Sequence, residues 1–129
     1  MKPGNTFLGE VIGIGKHLHV VLSNPSDSGK FVVLTMISTY DEDYKNDACV
    51  LRQSDGHPFI KHLSYVAYEK AVLYPVAKLE LLEKNGEIKP MPSFSPETLA
   101  KILKGADSIS SRLRDDCWLV LDNQGLLPK

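Results

Sequence analysis

The sequence predicts a mainly β fold: a small, partly open β-barrel over residues 1–82, capped by an amphipathic C-terminal helix. Short apolar runs, alternating or rich in β-branched residues, recur as far as residue 82 and are separated by clusters of Gly, Pro, Asn and Asp. From Ser95 onward the apolar spacing switches to three and four residues, the period of a helix. The chain has 129 residues, 43% hydrophobic and 24% charged, which suits one globular domain able to fold without disulfides or a structural metal.

Pro3 and Gly4 open the chain as a turn, and residues 7–14 read as a first strand broken by Gly13 and Gly15. In residues 17–23 (HLHVVLS), Leu18, Val20 and Leu22 share one face, and His17, His19, Val21 and Ser23 share the other. That is a half-buried strand. Residues 24–29 (NPSDSG) are turn formers that join it, as a hairpin, to residues 31–37 (FVVLTMI), a strand covered on both faces. An acidic loop follows, with DEDYKND at residues 41–47, then a short strand at 48–51.

Residues 64–68 continue into 71–74 as β-branched and aromatic strands. Beyond Pro75, residues 76–82 read as a further strand, with Val76, Lys78 and Glu80 alternating against Ala77, Leu79 and Leu81. Asn85 and Gly86 close a turn. Ser95 caps a helix that starts at Pro96, with Glu97 in its first turn and a stripe of Leu99, Ile102, Leu103 and Ala106. A second helical stretch is expected over residues 107–114, which makes 95–114 the helical portion. The tail, 115–129, is expected to add an edge strand or to dock on the barrel.

A net charge of −1 gives the chain no global attraction for nucleic acid and leaves only a local basic patch to supply one. The N-terminus lacks an apolar run of signal-peptide length, and no segment reaches the ~20 apolar residues of a membrane span. A cytoplasmic protein with no membrane partner is expected. Cys49 and Cys117 sit in separate apolar segments and read as buried thiols.

The run KHLHVVLSNP, a turn, and then FVVLTMIST resembles the core of the MazF/PemK family of toxin ribonucleases. The segment HLSYVAYEKAVLY falls where that family carries its chain across the barrel, and SPETLAKIL resembles its capped C-terminal helix. The resemblance covers residues 4–106 and implies an SH3-like barrel, RNA endonuclease activity without cofactor or metal, a homodimer, and an antitoxin or other protein partner. It also implies a catalytic role for Thr39 and a substrate contact for Ser38, which close the second apolar strand. The family's Arg-Pro ahead of VVLS is replaced by His17 and Leu18, so the guanidinium is absent and a degenerate nuclease site is implied. The alternative is a non-catalytic SH3-like barrel that binds a protein or nucleic-acid partner.

Metal-independent RNA cleavage needs a base, an acid and a cation, roles that histidine and lysine fill near neutral pH. His17 takes the place of the missing Arg, with His57 and His62 as its acid or base partners. Lys16 and His19 beside it are candidate phosphate contacts, the alternative being that His17 and His19 simply cover a strand. The polar and aromatic segment SDGHPFIKHLSYVAY adds Lys61, Ser64 and Tyr65 as candidate substrate contacts; its other reading is an ordinary structured loop. A metal site of Cys49, His57 and His62 lacks any close ligand spacing, and none is expected. The acidic loop would repel RNA or meet a basic partner, and Tyr65, Tyr68 and Tyr74 are candidate dimer anchors.

Overall fold

A computed structural model describes residues 1–26, 28–41, 43 and 46–128. Asp27 of the expected hairpin, Glu42, Tyr44 and Lys45 of the acidic loop, and Lys129 of the tail lie outside the described residues. The described chain forms a mixed α/β structure. Its strands are β1 (Thr6–Gly9), β2 (His17–Val21), β3 (Phe31–Thr39), β4 (Val50–Leu51), β5 (Ser64–Val66), β6 (Val72–Pro75) and β7 (Ile88–Met91). Its helices are α1 (Val76–Lys84), α2 (Pro96–Ala106) and α3 (Asp115–Asn123).

The strands form one open antiparallel sheet in the order β4-β5-β3-β2-β1-β7. The long β3 holds it together: β6 pairs with its first half and β5 with its second, while β2 runs along the other side. β2 and β3 pair antiparallel, Leu18 opposite Ile37 and Val21 opposite Leu34, as the turn formers between them predict. Alternation along these strands feeds a core on each face of the sheet, with a smaller cluster of Met36, Tyr65 and Ala67 beside them. Leu18, Val20, Leu22, Val33 and Ile37 pack with Ile102 and Ala106 of α2 and with Cys117 and Leu121 of α3. On the opposite face Phe7, Val21, Val32 and Leu34 pack against Leu79 of α1. β2 is therefore covered on both faces rather than half-buried, because α1 shields the side expected to meet water.

α1 corrects the strand expected at residues 76–82. Val76, Leu79 and Leu82 recur every three residues and meet the core, whereas Leu81 is 55% exposed. A seven-residue window accommodated both periods, and the Leu-, Glu- and Lys-rich composition favours the helix. Gly86, at φ 75°, ends that helix in a left-handed cap that the sequence presented as a turn. β7 was not expected. Its Pro90 lacks an N–H, which a strand at the sheet edge tolerates.

β1 stops at Gly9, where a Cβ would lie 2.7 Å from Ile88 Cγ2, rather than running on to residue 14. Between β5 and β6 the chain makes a 3-10 turn at Tyr68–Lys70. α2 is capped as predicted, with Ser95 Oγ accepting from Thr98 N–H at 3.2 Å. The expected helix over 107–114 shrinks to a single 3-10 turn, Ile109–Ser111. The tail forms a helix rather than an edge strand and docks through Gln124, whose amide bonds both the N–H and the C=O of Asn24. No helix among the described residues is long and apolar enough to cross a membrane.

Candidate functional site

A cleft of about 560 Å³ opens where the start of β2, the end of β3 and the 58–62 segment meet. Lys16 and His17 stand on one wall, Ser38 and Thr39 close β3, and Lys61, His62 and Ser64 come from the opposite wall. Seven of the ten sequence-derived site residues therefore share one cleft. Its floor is apolar (Leu18, Ile37, Ile60), and none of the described Asp or Glu residues lines it. Lys16, Thr39, Lys61 and His62 are exposed at its surface, so their polar ends meet solvent at the mouth.

The register of the sheet places these groups. Thr39 pairs with Ser64 across β3 and β5, and Leu18 pairs with Ile37 across β2 and β3, so three strands end at the cleft together. The His17 ring Nε2 lies 3.2 Å from the Ile14 carbonyl and donates to it, which leaves Nδ1 as the acceptor nitrogen. Ser64 Oγ donates to the His62 carbonyl at 2.9 Å and so fixes the backbone from which the His62 ring extends.

Three candidates lie elsewhere. His19 is fully buried and stacks on Phe7 with ring centres 5.2 Å apart. Its Nδ1–H donates to the His17 carbonyl at 3.0 Å, and its Nε2 accepts the Ile12 N–H at 3.2 Å. Burial drives its pKa down to about 4, so the ring is neutral and unavailable to a phosphate.

His57 is 4% exposed. Its Nδ1 accepts from Phe59 N–H at 3.1 Å, and its Nε2–H points to the Pro92 carbonyl at 2.8 Å and Thr6 Oγ1 at 3.1 Å. Burial lowers its pKa as well. Tyr65 is 5% exposed, bonded to Ser38, and pushed up in pKa by desolvation. These three support the cleft and do not line it.

Tyr65 and Tyr68 are core side chains, so neither offers an exposed dimer anchor, and Tyr74 is half-buried with Lys78 Nζ 5.4 Å from its ring centre. Asp55 is spent on the Arg52 N–H and on Lys101, 3.3 Å away. Burial raises the pKa of both cysteines, Cys117 to about 12, so both thiols stay protonated. Among the described residues no three His, Cys, Asp or Glu side chains are placed to hold a metal ion, so Cys49, His57 and His62 do not gather into a site.

The cleft also holds residues that the sequence did not single out as ligand contacts. Phe59 is 44% exposed on the wall beside Lys61, and Met91 enters from β7. Phe59 was visible as an aromatic between Pro58 and Lys61, whereas Met91 depended on a strand the sequence did not reveal. The chain matches no protein-family model and no curated protein.

Proposed function

We propose that this chain is a MazF/PemK-like RNA-binding protein with an SH3-like curled sheet and a degenerate nuclease site, which holds a single strand and cleaves it slowly without a metal. One observation carries the reading: two lysines, two histidines and three hydroxyl residues line one cleft, with no carboxylate among its described lining residues. Such a lining suits phosphodiester oxygens, and an exposed aromatic, Phe59, suits an unstacked base. The open antiparallel sheet and the capped helix α2 are compatible with the SH3-like form.

In this reading Lys16 and Lys61 hold the phosphate. His17 Nδ1 takes the 2′-hydroxyl proton as that oxygen attacks phosphorus, and protonated His62 gives a proton to the departing 5′-oxygen. The products are a 2′,3′-cyclic phosphate and a 5′-hydroxyl. Cleavage is slow because Arg52, Arg112 and Arg114 all lie outside the cleft lining, and no guanidinium faces the developing phosphorane. That same absence favours a second reading, a non-catalytic module that binds a nucleic-acid or protein partner.

Incubating the purified protein with a mixed-sequence RNA in EDTA separates the two. Slow cleavage that falls about 10²-fold in His17→Ala supports the nuclease. Binding without any cleavage supports the module, and cleavage abolished by EDTA contradicts the assigned residues. A homodimer and an antitoxin-like partner belong to the nuclease reading, and light scattering at micromolar concentration tests the dimer.

A further inference from the structure

The two walls of the cleft are fastened in the same way. The 10–16 loop donates the Ile12 N–H to Nε2 of buried His19, and the 58–62 segment donates the Phe59 N–H to Nδ1 of buried His57. In each ring the other nitrogen carries its proton to a fixed carbonyl, His17 O for His19 and Pro92 O for His57. Each latch therefore works in one tautomer of the neutral ring.

We propose that His19 and His57 are paired positioning residues, neutral acceptors that each hold one cleft wall in place and release that wall when the ring is protonated. Protonation turns the acceptor nitrogen into a donor facing an N–H about 3 Å away, so that hydrogen bond is lost while the bond to the fixed carbonyl survives. The event is local. Releasing Ile12 frees the segment that carries Lys16 and the Ile14 carbonyl on which the His17 ring rests. Releasing Phe59 frees the segment that carries Lys61 and His62.

The surroundings favour this neutral state. Around His19, burial is the main influence; the bond to the His17 carbonyl works against it, and the neighbouring His17 ring adds to the opposition to protonation. Glu10 on the adjoining loop is turned to the Gly15 N–H at 2.9 Å, and Lys16 is exposed. On the sheet beside it, Met36 of β3 and Ile12 pack with Tyr40 and Tyr65, and Glu80 and Glu83 of α1 border a separate cavity beside Phe7. Around His57, Thr6 and Phe94 are uncharged, Asp55 is paired with Lys101 of α2, and Lys61 and His62 face the cleft.

The latch does not depend on what the cleft binds, and its effect on RNA rests on the reading above. Amide hydrogen exchange by NMR, without RNA and corrected for intrinsic rates, tests it directly. From about pH 7.5 to about pH 4, exchange at Ile12 and Phe59 should rise several-fold, toward the roughly tenfold worth of one hydrogen bond, while β3 amides, which need a wider opening to exchange, remain the more protected. His19→Phe keeps the stack on Phe7 without the acceptor and should free Ile12 at every pH while leaving Phe59 protected at neutral pH. Loop and β3 amides opening together on acidification, or Ile12 staying equally protected in His19→Phe, overturns the proposal. If that variant does not fold, the titration of the unaltered protein decides alone.

Discussion

Gly105 of α2 is where a single methyl group should have the largest effect on this fold. A Cβ there would lie 2.6 Å from Tyr68 Oη, 2.8 Å from the Ala48 carbonyl and 2.9 Å from Cys49 Cβ. Two of those three neighbours are backbone or held by it. The third, the Tyr68 hydroxyl, is fully buried and donates to the Ile102 carbonyl at 2.5 Å. Gly105→Ala gains about 1 kcal/mol of helix propensity. It also breaks or bends the Tyr68 bond at a cost of about 1 kcal/mol, so these two effects offset. What remains is overpacking, about 1–3 kcal/mol destabilising. With a urea m-value of about 1.5 kcal/mol/M, the midpoint should fall by roughly 1–2 M. Tyr68→Phe removes the closest contact, so the double mutant should be less destabilised than the two single changes added together. A midpoint that is unchanged or raised in Gly105→Ala would refute the close approach of α2 to the 48–49 segment.

Other outcomes follow from the same contacts. Ile102→Ala, at a fully buried position between α2 and the sheet, should cost about 2–5 kcal/mol by urea denaturation. Ser95→Ala should cost about 1 kcal/mol through loss of the bond from Thr98 N–H. His19 binds its proton more weakly folded than unfolded, so its contribution is complete above pH 6.5 and is lost as pH falls toward about 4. The loss is about 3 kcal/mol at most, and denaturation midpoints measured across that window in His19→Phe should show a shallower fall.

The sequence made the pairing of β2 with β3 legible because alternation, turn formers and a β-branched run coincided there, each supporting the others. The capped helix α2 was legible for the same reason, since Ser95, Pro96 and the apolar stripe all agreed. α1 was misread because its burial pattern depends on which sheet face needs cover, a tertiary fact that no short window holds. β7 escaped because Pro90 argues against a strand until an edge position is known to be available.

The site divided along similar lines. Residue type and strand register brought Lys16, His17, Ser38, Thr39, Lys61, His62 and Ser64 to one cleft. His19 and His57 looked equivalent to them in sequence, yet each ring is spent on backbone groups. His19 shares a strand face with His17, but the loop after β1 folds back over it and leaves His17 at the cleft.

If the cleft grips a phosphate backbone, as proposed, its affinity for RNA must depend on salt. Because the chain's net charge is −1, attraction for RNA has to come from the local cations. Fluorescence anisotropy with a labelled single-stranded RNA should give a log–log salt slope near −1.4, about 0.7 for each of Lys16 and Lys61. Lys16→Ala and Lys61→Ala should each remove about half of that slope, and the double variant should lose nearly all of it. Binding that is insensitive to salt, or a slope unchanged in the double variant, would contradict the claim.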